Sequence, residues 1–171
     1  MSSLKNSIVF ILLFSAMISA AAQTKVTYVD LDKFSGKWYV IATIPTSFDG
    51  KWRYVTETYS LNKKGNIDIF TTYKKNDLTK EKSVGSKGFP VRGKANVAWK
   101  VQFVWPFKAD YLIEELADDY TYVVVGHPKK KFLYIMNRSG KMSETQFQEI
   151  RERFGAKGYD LSELLMVEQG F

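Results

Sequence analysis

Very few side chains in this sequence are of the types that carry out nucleophilic, redox or metal chemistry. The 171 residues include no cysteine and a single histidine, His127, which stands between Gly126 and Pro128. The familiar zinc ligand sets and all thiol chemistry are therefore excluded. A serine triad would have to use His127 as its base, and we interpret this residue as part of a turn. The sequence predicts no metal site and no catalytic residue.

The sequence also lacks the short motifs that position a nucleophile, a phosphate or a dinucleotide. No Gly-x-Ser-x-Gly elbow, phosphate-binding Gly-rich loop or dinucleotide fingerprint is present. We therefore do not expect an enzyme, and we expect no cofactor.

The elements that must form any binding site are short β-rich runs separated by turn residues. The predicted strands cover residues 37–48, 52–61, 66–73, 83–92, 96–105, 110–116, 120–126 and 131–137. Eight consecutive strands with short connections favour an all-β fold, an eight-stranded antiparallel up-and-down β-barrel, because closure removes both sheet edges. A β-sandwich remains the alternative. Gly88 and Pro90 predict an edge or a bulge in the fourth strand.

One α-helix, over 143–154, is predicted to follow the last strand and to pack outside the barrel. Ser143 provides an N-cap and Gln146 occupies the capping-box position. Apolar side chains then recur at helical spacing, at Phe147, Ile150 and Phe154. Residues 161–168 are expected to return as a short strand or an extended tail.

The amino terminus has the order of a secretory signal peptide: Lys5, an apolar run over 8–14 and then three alanines. We expect a signal peptide over 1–22 and a mature domain over 23–171. No later segment approaches the roughly 20 apolar residues of a spanning helix. We expect an exported protein, periplasmic or secreted. Without cysteine, any association with an outer membrane would lack the usual lipid anchor.

The formal net charge of +7 favours association with anionic surfaces, such as phospholipid headgroups, or with nucleic acid. In an exported protein nucleic acid is the less expected partner, and we predict none. Much of the charge belongs to predicted loops, at Lys74, Lys75, Lys80, Lys82, Lys87, Lys129, Lys130 and Lys131. Solubility is the simpler interpretation. If these lysines gathered at the open mouth, they could dock the barrel on an anionic membrane surface.

Three ordered motifs resemble those of the lipocalin family. Gly36 and Trp38 belong to the first, Gly-Lys-Trp-Tyr, which is similar to the Gly-x-Trp signature. Asp119 and Tyr122 belong to the second, Asp-Tyr-Thr-Tyr-Val, and Arg138 belongs to the third, Asn-Arg-Ser. The similarity covers nearly the whole predicted mature chain and is greatest with the bacterial outer-membrane branch.

The resemblance implies that the arginine of the third motif packs across the signature tryptophan. A planar guanidinium from Arg138 can stack on the Trp38 indole and donate to nearby carbonyls. We expect this pair to close the base of the barrel without contacting the ligand.

Alternation along each strand, in the register of the lipocalin pattern, predicts which side chains face the interior. The predicted ligand-binding residues are Ala42, Val55, Glu57, Tyr59, Ile69, Trp99, Val101, Phe103, Glu114, Phe132 and Tyr134. They are mostly aliphatic and aromatic, as in a deep apolar pocket. The alternative is that Trp99, Phe103 and Tyr134 simply fill the barrel.

Glu57 and Glu114 are unusual among these positions, because the family usually places small or apolar residues there. A buried carboxylate must be paired, hydrogen-bonded or protonated. Either the two contact a polar or cationic ligand group, or they are paired inside, or they lie near the mouth or in a register shifted by one residue. If both face inward, the pocket disfavours a fatty-acid carboxylate deep inside and favours a headgroup or a neutral lipid.

The resemblance implies binding and storage or transport of a small hydrophobic ligand, such as a fatty acid or lysophospholipid, in cell-envelope maintenance. Two alternatives stay open. One is a lipocalin-type enzyme acting on a lipid or isoprenoid, with Glu57, Glu114 or Tyr134 as acid or base. The other is a protein-interaction barrel with a filled core.

Overall fold

The computed structural model describes residues 25–75 and 78–170, and the predicted signal peptide over 1–22 lies outside them. The strands are β1 (Gly36–Ile44), β2 (Arg53–Leu61), β3 (Ile67–Lys74), β4 (Glu81–Pro90), β5 (Ala98–Val104), β6 (Phe107–Leu116), β7 (Tyr122–Gly126), β8 (Leu133–Asn137) and β9 (Leu165–Met166). The first eight pair in sequence order, and β1 pairs with both β8 and β2. All these pairings are antiparallel. The predicted eight-stranded up-and-down barrel is confirmed.

Strand β4 runs without the interruption that Gly88 and Pro90 predicted. Gly88 pairs with Ile67 on one side and with Val101 on the other. A Cβ at Gly88 would lie 3.2 Å from the Trp99 ring. The glycine therefore lets the indole approach the backbone, which explains a small residue inside a continuous strand.

Register shifts occur in four pairs of strands, and two of these β-bulges decide the faces of predicted ligand-binding residues. The register of β1 against β8 shifts between Val40 and Ala42. The register of β6 against β7 shifts between Ile113 and Glu115. Since side chains alternate strictly along a regular strand, each extra residue moves the following side chains to the opposite face.

Helix α1 (Leu31–Phe34) precedes the barrel, and helix α2 (Glu144–Ala156) packs on its outside. The Ser143 hydroxyl accepts a hydrogen bond from the Gln146 amide at 3.2 Å, so the predicted N-cap is present. The buried face of α2 consists of Phe147, Ile150 and Phe154. Their partners on the barrel lie on β1, β7 and β8 and include Ala42, Val124, Leu133 and Ile135. Neither α1 nor α2, the α-helices of the described residues, has the length and apolar character needed to cross a membrane.

The carboxyl-terminal segment completes the barrel wall where β1 and β2 no longer pair. Strand β9 pairs with β1, Met166 opposite Ala42. Beyond it, the Gln169 side-chain amide donates to the Val40 carbonyl at 2.6 Å and to the Val55 carbonyl at 3.2 Å. Because Val40 lies on β1 and Val55 on β2, Gln169 bridges the two diverging strands.

Candidate functional site

Arg138 and Trp38 close one end of the barrel. The Arg138 guanidinium lies 3.7 Å from the centre of the Trp38 ring system. Its nitrogens donate to five backbone carbonyls, at 2.7 to 3.4 Å, those of Lys33, Phe34, Ser35, Lys37 and Tyr120. Trp38 is fully buried, and its indole N–H donates to the Phe34 carbonyl at 2.9 Å. The stack expected from the motifs is therefore present and ties α1 to the strands.

The other motif residues shape the same end of the barrel. Gly36 has a positive φ of 100°, and a Cβ there would lie 3.2 Å from an Arg138 nitrogen. Asp119 caps the turn before β7 by accepting from the Thr121 amide and hydroxyl. Tyr122 instead points outward, where its hydroxyl donates to Glu115 at 2.9 Å.

Above the Trp38 plug, a chain of hydroxyl and carboxyl groups forms the floor of the interior. The Tyr59 hydroxyl donates to a Glu57 carboxylate oxygen and lies 2.7 Å from the Tyr111 hydroxyl. Trp99 stacks on Tyr111 with ring centres 5.1 Å apart. This layer is packed by its own side chains, so the ligand space begins above it.

Glu57 is enclosed within the barrel, and its carboxyl group lines the cavity. Desolvation raises the pKa of Glu57 from 4.5 to about 7, and the nearby Asp49 carboxylate adds to the rise. The hydrogen bond from Tyr59 opposes this shift. Desolvation also raises the pKa of Tyr59 and of Tyr111 well above the ordinary tyrosine range. The floor therefore holds a carboxyl group that changes charge near neutral pH.

The barrel is not filled by its side chains: a cavity of about 920 Å³ occupies the space above the floor. Seven of the residues predicted to bind ligand line it, namely Val55, Glu57, Ile69, Val101, Phe103, Phe132 and Tyr134. Their aliphatic and aromatic surfaces form the apolar wall of a lipid-sized space. That they bind a ligand stays a prediction.

Four of the predicted ligand-binding residues lie elsewhere. Tyr59 and Trp99 face inward but belong to the packed floor. Ala42 follows the β1 bulge and faces α2, packed in the outer cluster. Its neighbour Thr43 lines the cavity instead. The prediction for Ala42 was wrong because an unbroken alternation was assumed through the bulge.

Glu114 was also placed wrongly: it lies on the outside of the barrel, against the segment that follows α2. Its carboxylate accepts from the Tyr159 hydroxyl and forms an ion pair with Lys130 at 3.3 Å. Gly126 makes this contact possible, because a Cβ there would overlap the Tyr159 hydroxyl. After the β6 bulge Glu115 faces outward as well, fully buried and paired with Arg153 at 2.6 Å. These carboxylates hold the helical layer on the barrel.

Asp49 is a cavity-lining residue that the sequence analysis missed. Its carboxylate accepts from the Thr46 amide and hydroxyl, each at 2.7 Å, and from the Tyr134 hydroxyl at 2.6 Å. Asp49 is buried, in the connection between β1 and β2. Strand periodicity says nothing about the direction of a loop side chain, so no local pattern could have found it. Tyr111 was missed because the predicted register placed Glu114 inside, whereas before the β6 bulge the inward side chains are Tyr111 and Ile113.

Three polar atoms on the cavity wall have no hydrogen-bond partner among the described residues. They are the Thr43 hydroxyl, the Ser86 hydroxyl and the Trp52 indole N–H. Thr43 is only 6% exposed. Buried polar groups are normally satisfied, so these atoms mark places where a bound molecule could donate or accept a hydrogen bond.

The opposite end of the barrel from Trp38 is open and apolar. Phe48, Trp105 and Phe107 are 83%, 82% and 77% exposed. Phe103 and Val104 add further exposed apolar surface at the same rim, and both line the cavity. Large exposed apolar patches mark binding surfaces more often than chance.

Lysines surround this open end. The connections β1–β2, β3–β4, β5–β6 and β7–β8 share one end of an up-and-down barrel. Exposed lysines lie in them or next to them, at Lys51, Lys75, Lys80, Lys108, Lys129 and Lys131. Exposed lysines also lie in the connections at the closed end, at Lys63, Lys64 and Lys94, so it is the aromatic rim that distinguishes the open end. His127 lines the same rim, and desolvation lowers its pKa.

Within residues 25–75 and 78–170, no three or more His, Asp or Glu side chains are grouped in a way that could hold a metal ion. The cavity offers a bound molecule apolar surface, hydroxyl groups and the carboxyl groups of Asp49, Glu57 and, at the rim, Asp110.

Comparison with known proteins gives one family match. The model described as a lipocalin-like domain matches residues 29–169. The temperature-induced lipocalin-1 of Arabidopsis thaliana is 29% identical over 157 residues, which are 82% of this chain and 80% of that protein. The outer membrane lipoprotein Blc of Vibrio cholerae is 25% identical over 94% of this chain and 98% of its own length.

Solved structures show the same fold at lower identity. Insecticyanin from the tobacco hornworm Manduca sexta superposes with a TM-score of 0.67 at 14% identity, covering 86% of this chain and 85% of that one. Lobster apocrustacyanin A1 superposes with a TM-score of 0.64 at 19% identity, covering 82% and 79%.

Proposed function

This chain belongs to the lipocalin-like domain family, and on that basis we propose that it binds one small hydrophobic ligand inside the barrel, for storage or transport. The observation that carries the proposal is the cavity of about 920 Å³ above a packed floor. A fatty acid, a lysophospholipid or a similar lipid has the size and apolar character for such a space. Burial of the acyl chain contributes about 25 cal/mol for each Å² of apolar area removed from water.

We propose a binding role in preference to an enzymatic one. Glu57 and Tyr134 are the two predicted acid–base residues that line the cavity, whereas Glu114 lies outside it. Desolvation raises the pKa of Tyr134 well above the ordinary range, so its phenolate is too rare at neutral pH to act as a base. A filled interaction barrel is the less favoured alternative, because the interior is open.

Export and a role in cell-envelope maintenance complete the proposal. Two observations support it: the signal-like order of residues 1–22 in the sequence, and similarity to proteins named as outer membrane lipoproteins. We propose a periplasmic or secreted location, where a carrier would move lipids between membranes or hold them.

We further propose a peripheral contact between the open end and an anionic membrane surface. The exposed aromatic rim, formed by Phe48, Trp105 and Phe107, supports it, as do the surrounding lysines. Aromatic side chains favour the interfacial layer of a bilayer, and lysines favour anionic headgroups. This orientation would let a lipid pass directly between bilayer and cavity.

Native mass spectrometry of the protein purified from its host, followed by lipid extraction, tests the main proposal. We expect one lipid-sized ligand per barrel. The matched variant is Val101→Trp, which adds an indole inside the cavity and should abolish retention of the ligand. Phe70→Trp enlarges an exposed side chain on the outer face of β3 and should leave retention unchanged. A protein that carries no ligand and binds no added lipid would overturn the proposal.

A further inference from the structure

The charges that line the cavity are arranged so that its enclosed part is acidic. Asp49 and Glu57 lie inside, whereas Lys108 and Lys131 are exposed at the rim. Asp110, also at the rim, is paired with Lys100 at 2.5 Å. Among the described lining residues, no basic side chain reaches the inner part of the cavity.

The two enclosed carboxyl groups differ in how well the protein satisfies them. Asp49 accepts from three donors, one from Tyr134 and two from Thr46. Glu57 accepts from Tyr59 through one oxygen. Tyr59 also contacts Tyr111, so the hydroxyl pair below Glu57 is already engaged. The upper side of the Glu57 carboxyl group faces the cavity.

A carboxylate in a low-dielectric interior is stabilised by a cation or by several donors. A ligand can supply the cation or the donors that the cavity wall does not provide for Glu57. An ammonium group would form charge-assisted hydrogen bonds with Glu57, while a ligand carboxylate beside it would be repelled. The Thr43 hydroxyl, which is nine-tenths buried and without a partner among the described residues, offers the same cavity a further acceptor.

We propose that the preferred ligand of this cavity is an amphiphile that carries a protonated amine, and that Glu57 binds the ammonium group at the inner end. This inference rests on the proposed function, that the cavity holds a hydrophobic ligand. It narrows the ligand class and disfavours a fatty acid held with its carboxylate inward. The net charge of +7 opposes the approach of a cation from solution, so any preference for an amine must arise inside the barrel.

Three ligands of equal chain length test the inference: dodecylamine, dodecanol and dodecanoate, each kept below its solubility limit or critical micelle concentration and titrated by calorimetry at pH 7.5. We expect dodecylamine to bind at least about tenfold more tightly than dodecanol, and dodecanoate to bind more weakly than dodecanol. Glu57→Gln should remove the difference between amine and alcohol. Glu152→Gln makes the same charge change on the exposed face of α2 and should preserve the difference.

Proton release gives a second measurement that needs no variant. Because ammonium binding favours ionised Glu57, amine binding should release a proton near pH 7, visible as heats that depend on the ionisation enthalpy of the buffer. Amine affinity should rise from pH 5.5 to 8, and dodecanoate affinity should fall over the same range. Equal binding of all three ligands, or a preference for the amine that survives Glu57→Gln, would overturn the inference alone. Failure of all three to bind would overturn the proposed function.

Discussion

Glu57 and Arg138 are charged residues on opposite sides of the barrel floor. The Arg138 guanidinium donates its hydrogen bonds to backbone carbonyls at the closed end, and therefore it does not neutralise Glu57. Tyr59 lies between them, hydrogen-bonded to Glu57 and packed edge-on against Phe34 with ring centres 5.1 Å apart. The charge of Arg138 therefore stabilises the closed end, whereas the carboxyl group of Glu57 faces the cavity.

Replacement of Arg138 should destabilise the protein without changing its cavity. Arg138→Ala removes the stack on Trp38 and leaves five carbonyls to find other donors. We expect a loss of about 2–4 kcal/mol in the free energy of unfolding by urea, from the combined loss of cation–π and charge-assisted hydrogen bonds. Arg151→Ala, on the exposed face of α2, should cost under about 0.5 kcal/mol. Equal effects of the two variants would contradict the structural role of Arg138.

Glu57 should make the stability of the ligand-free protein depend on pH. Its pKa is about 7 in the folded protein against 4.5 ordinarily, so the folded state binds more protons between these values. Stability should therefore be greatest near pH 5 and fall as the pH rises through 7. Glu57 is only partly buried, which reduces the effect of the shift, and we expect a loss on the order of 2 kcal/mol between pH 5 and pH 8.

Urea unfolding at both pH values measures this effect, and Glu57→Gln provides the comparison. The variant should lose most of the difference between pH 5 and pH 8, because its amide does not titrate. Glu152→Gln should retain the difference. If the wild-type protein were equally stable at the two pH values, the pKa of Glu57 would have to be the same in the folded and unfolded chains.

At the scale of elements, the two bulges and the carboxyl-terminal segment decide the shape of the interior. The β1 bulge turns Ala42 toward α2 and Thr43 into the cavity. The β6 bulge allows both Glu114 and Glu115 to face the outer layer, where Lys130 and Arg153 pair with them. The β6 bulge thus keeps two carboxylates out of the cavity, and Glu57 is the carboxyl group that a strand contributes to its inner end.

The Gln169 bridge should hold the wall between β1 and β2 closed. Gln169→Ala removes two donors to carbonyls of Val40 and Val55, a loss of about 1–2 kcal/mol of local stability. Hydrogen exchange of the amides around these two residues should become about five- to thirtyfold faster. Gln148→Ala, on the surface of α2, should leave that exchange unchanged. Unaltered exchange in Gln169→Ala would mean that the backbone pairing of β9 suffices to close the wall.

On the scale of the whole molecule, the barrel is polarised. At its closed end, Arg138 binds α1 to the barrel through hydrogen bonds. At its open end, exposed aromatic side chains form a rim surrounded by lysines. An up-and-down barrel brings alternate hairpins to the same end, so residues far apart in the sequence form one surface. That surface is the entrance to the cavity, so the proposed membrane contact would place the entrance at the bilayer.

Removal of positive charge from the open end should weaken membrane binding more than removal from the closed end. The test pair is Lys51→Gln with Lys129→Gln, and the matched control is Lys63→Gln with Lys64→Gln in the β2–β3 turn. With about 1 kcal/mol per lysine near an anionic surface, the test variant should bind phosphatidylglycerol vesicles about five- to thirtyfold less tightly. Vesicle cosedimentation measures the change. Equal losses in both variants would indicate a nonspecific charge effect without orientation.

The sequence by itself determined the eight barrel strands and the outer helix α2, because alternation, turn residues and the Ser143 cap are local signals, whereas the short helix α1 was not predicted. The family motifs predicted the stack of Arg138 on Trp38, and alternation predicted seven residues of the cavity wall. A bulge has no dependable local signal, since its place depends on pairing with a distant strand. The tertiary structure alone therefore decided the faces of Ala42 and Glu114. It also decided the position of the Asp49 carboxylate and the assembly of the exposed aromatic rim at the open end, because these depend on contacts between segments far apart in the chain.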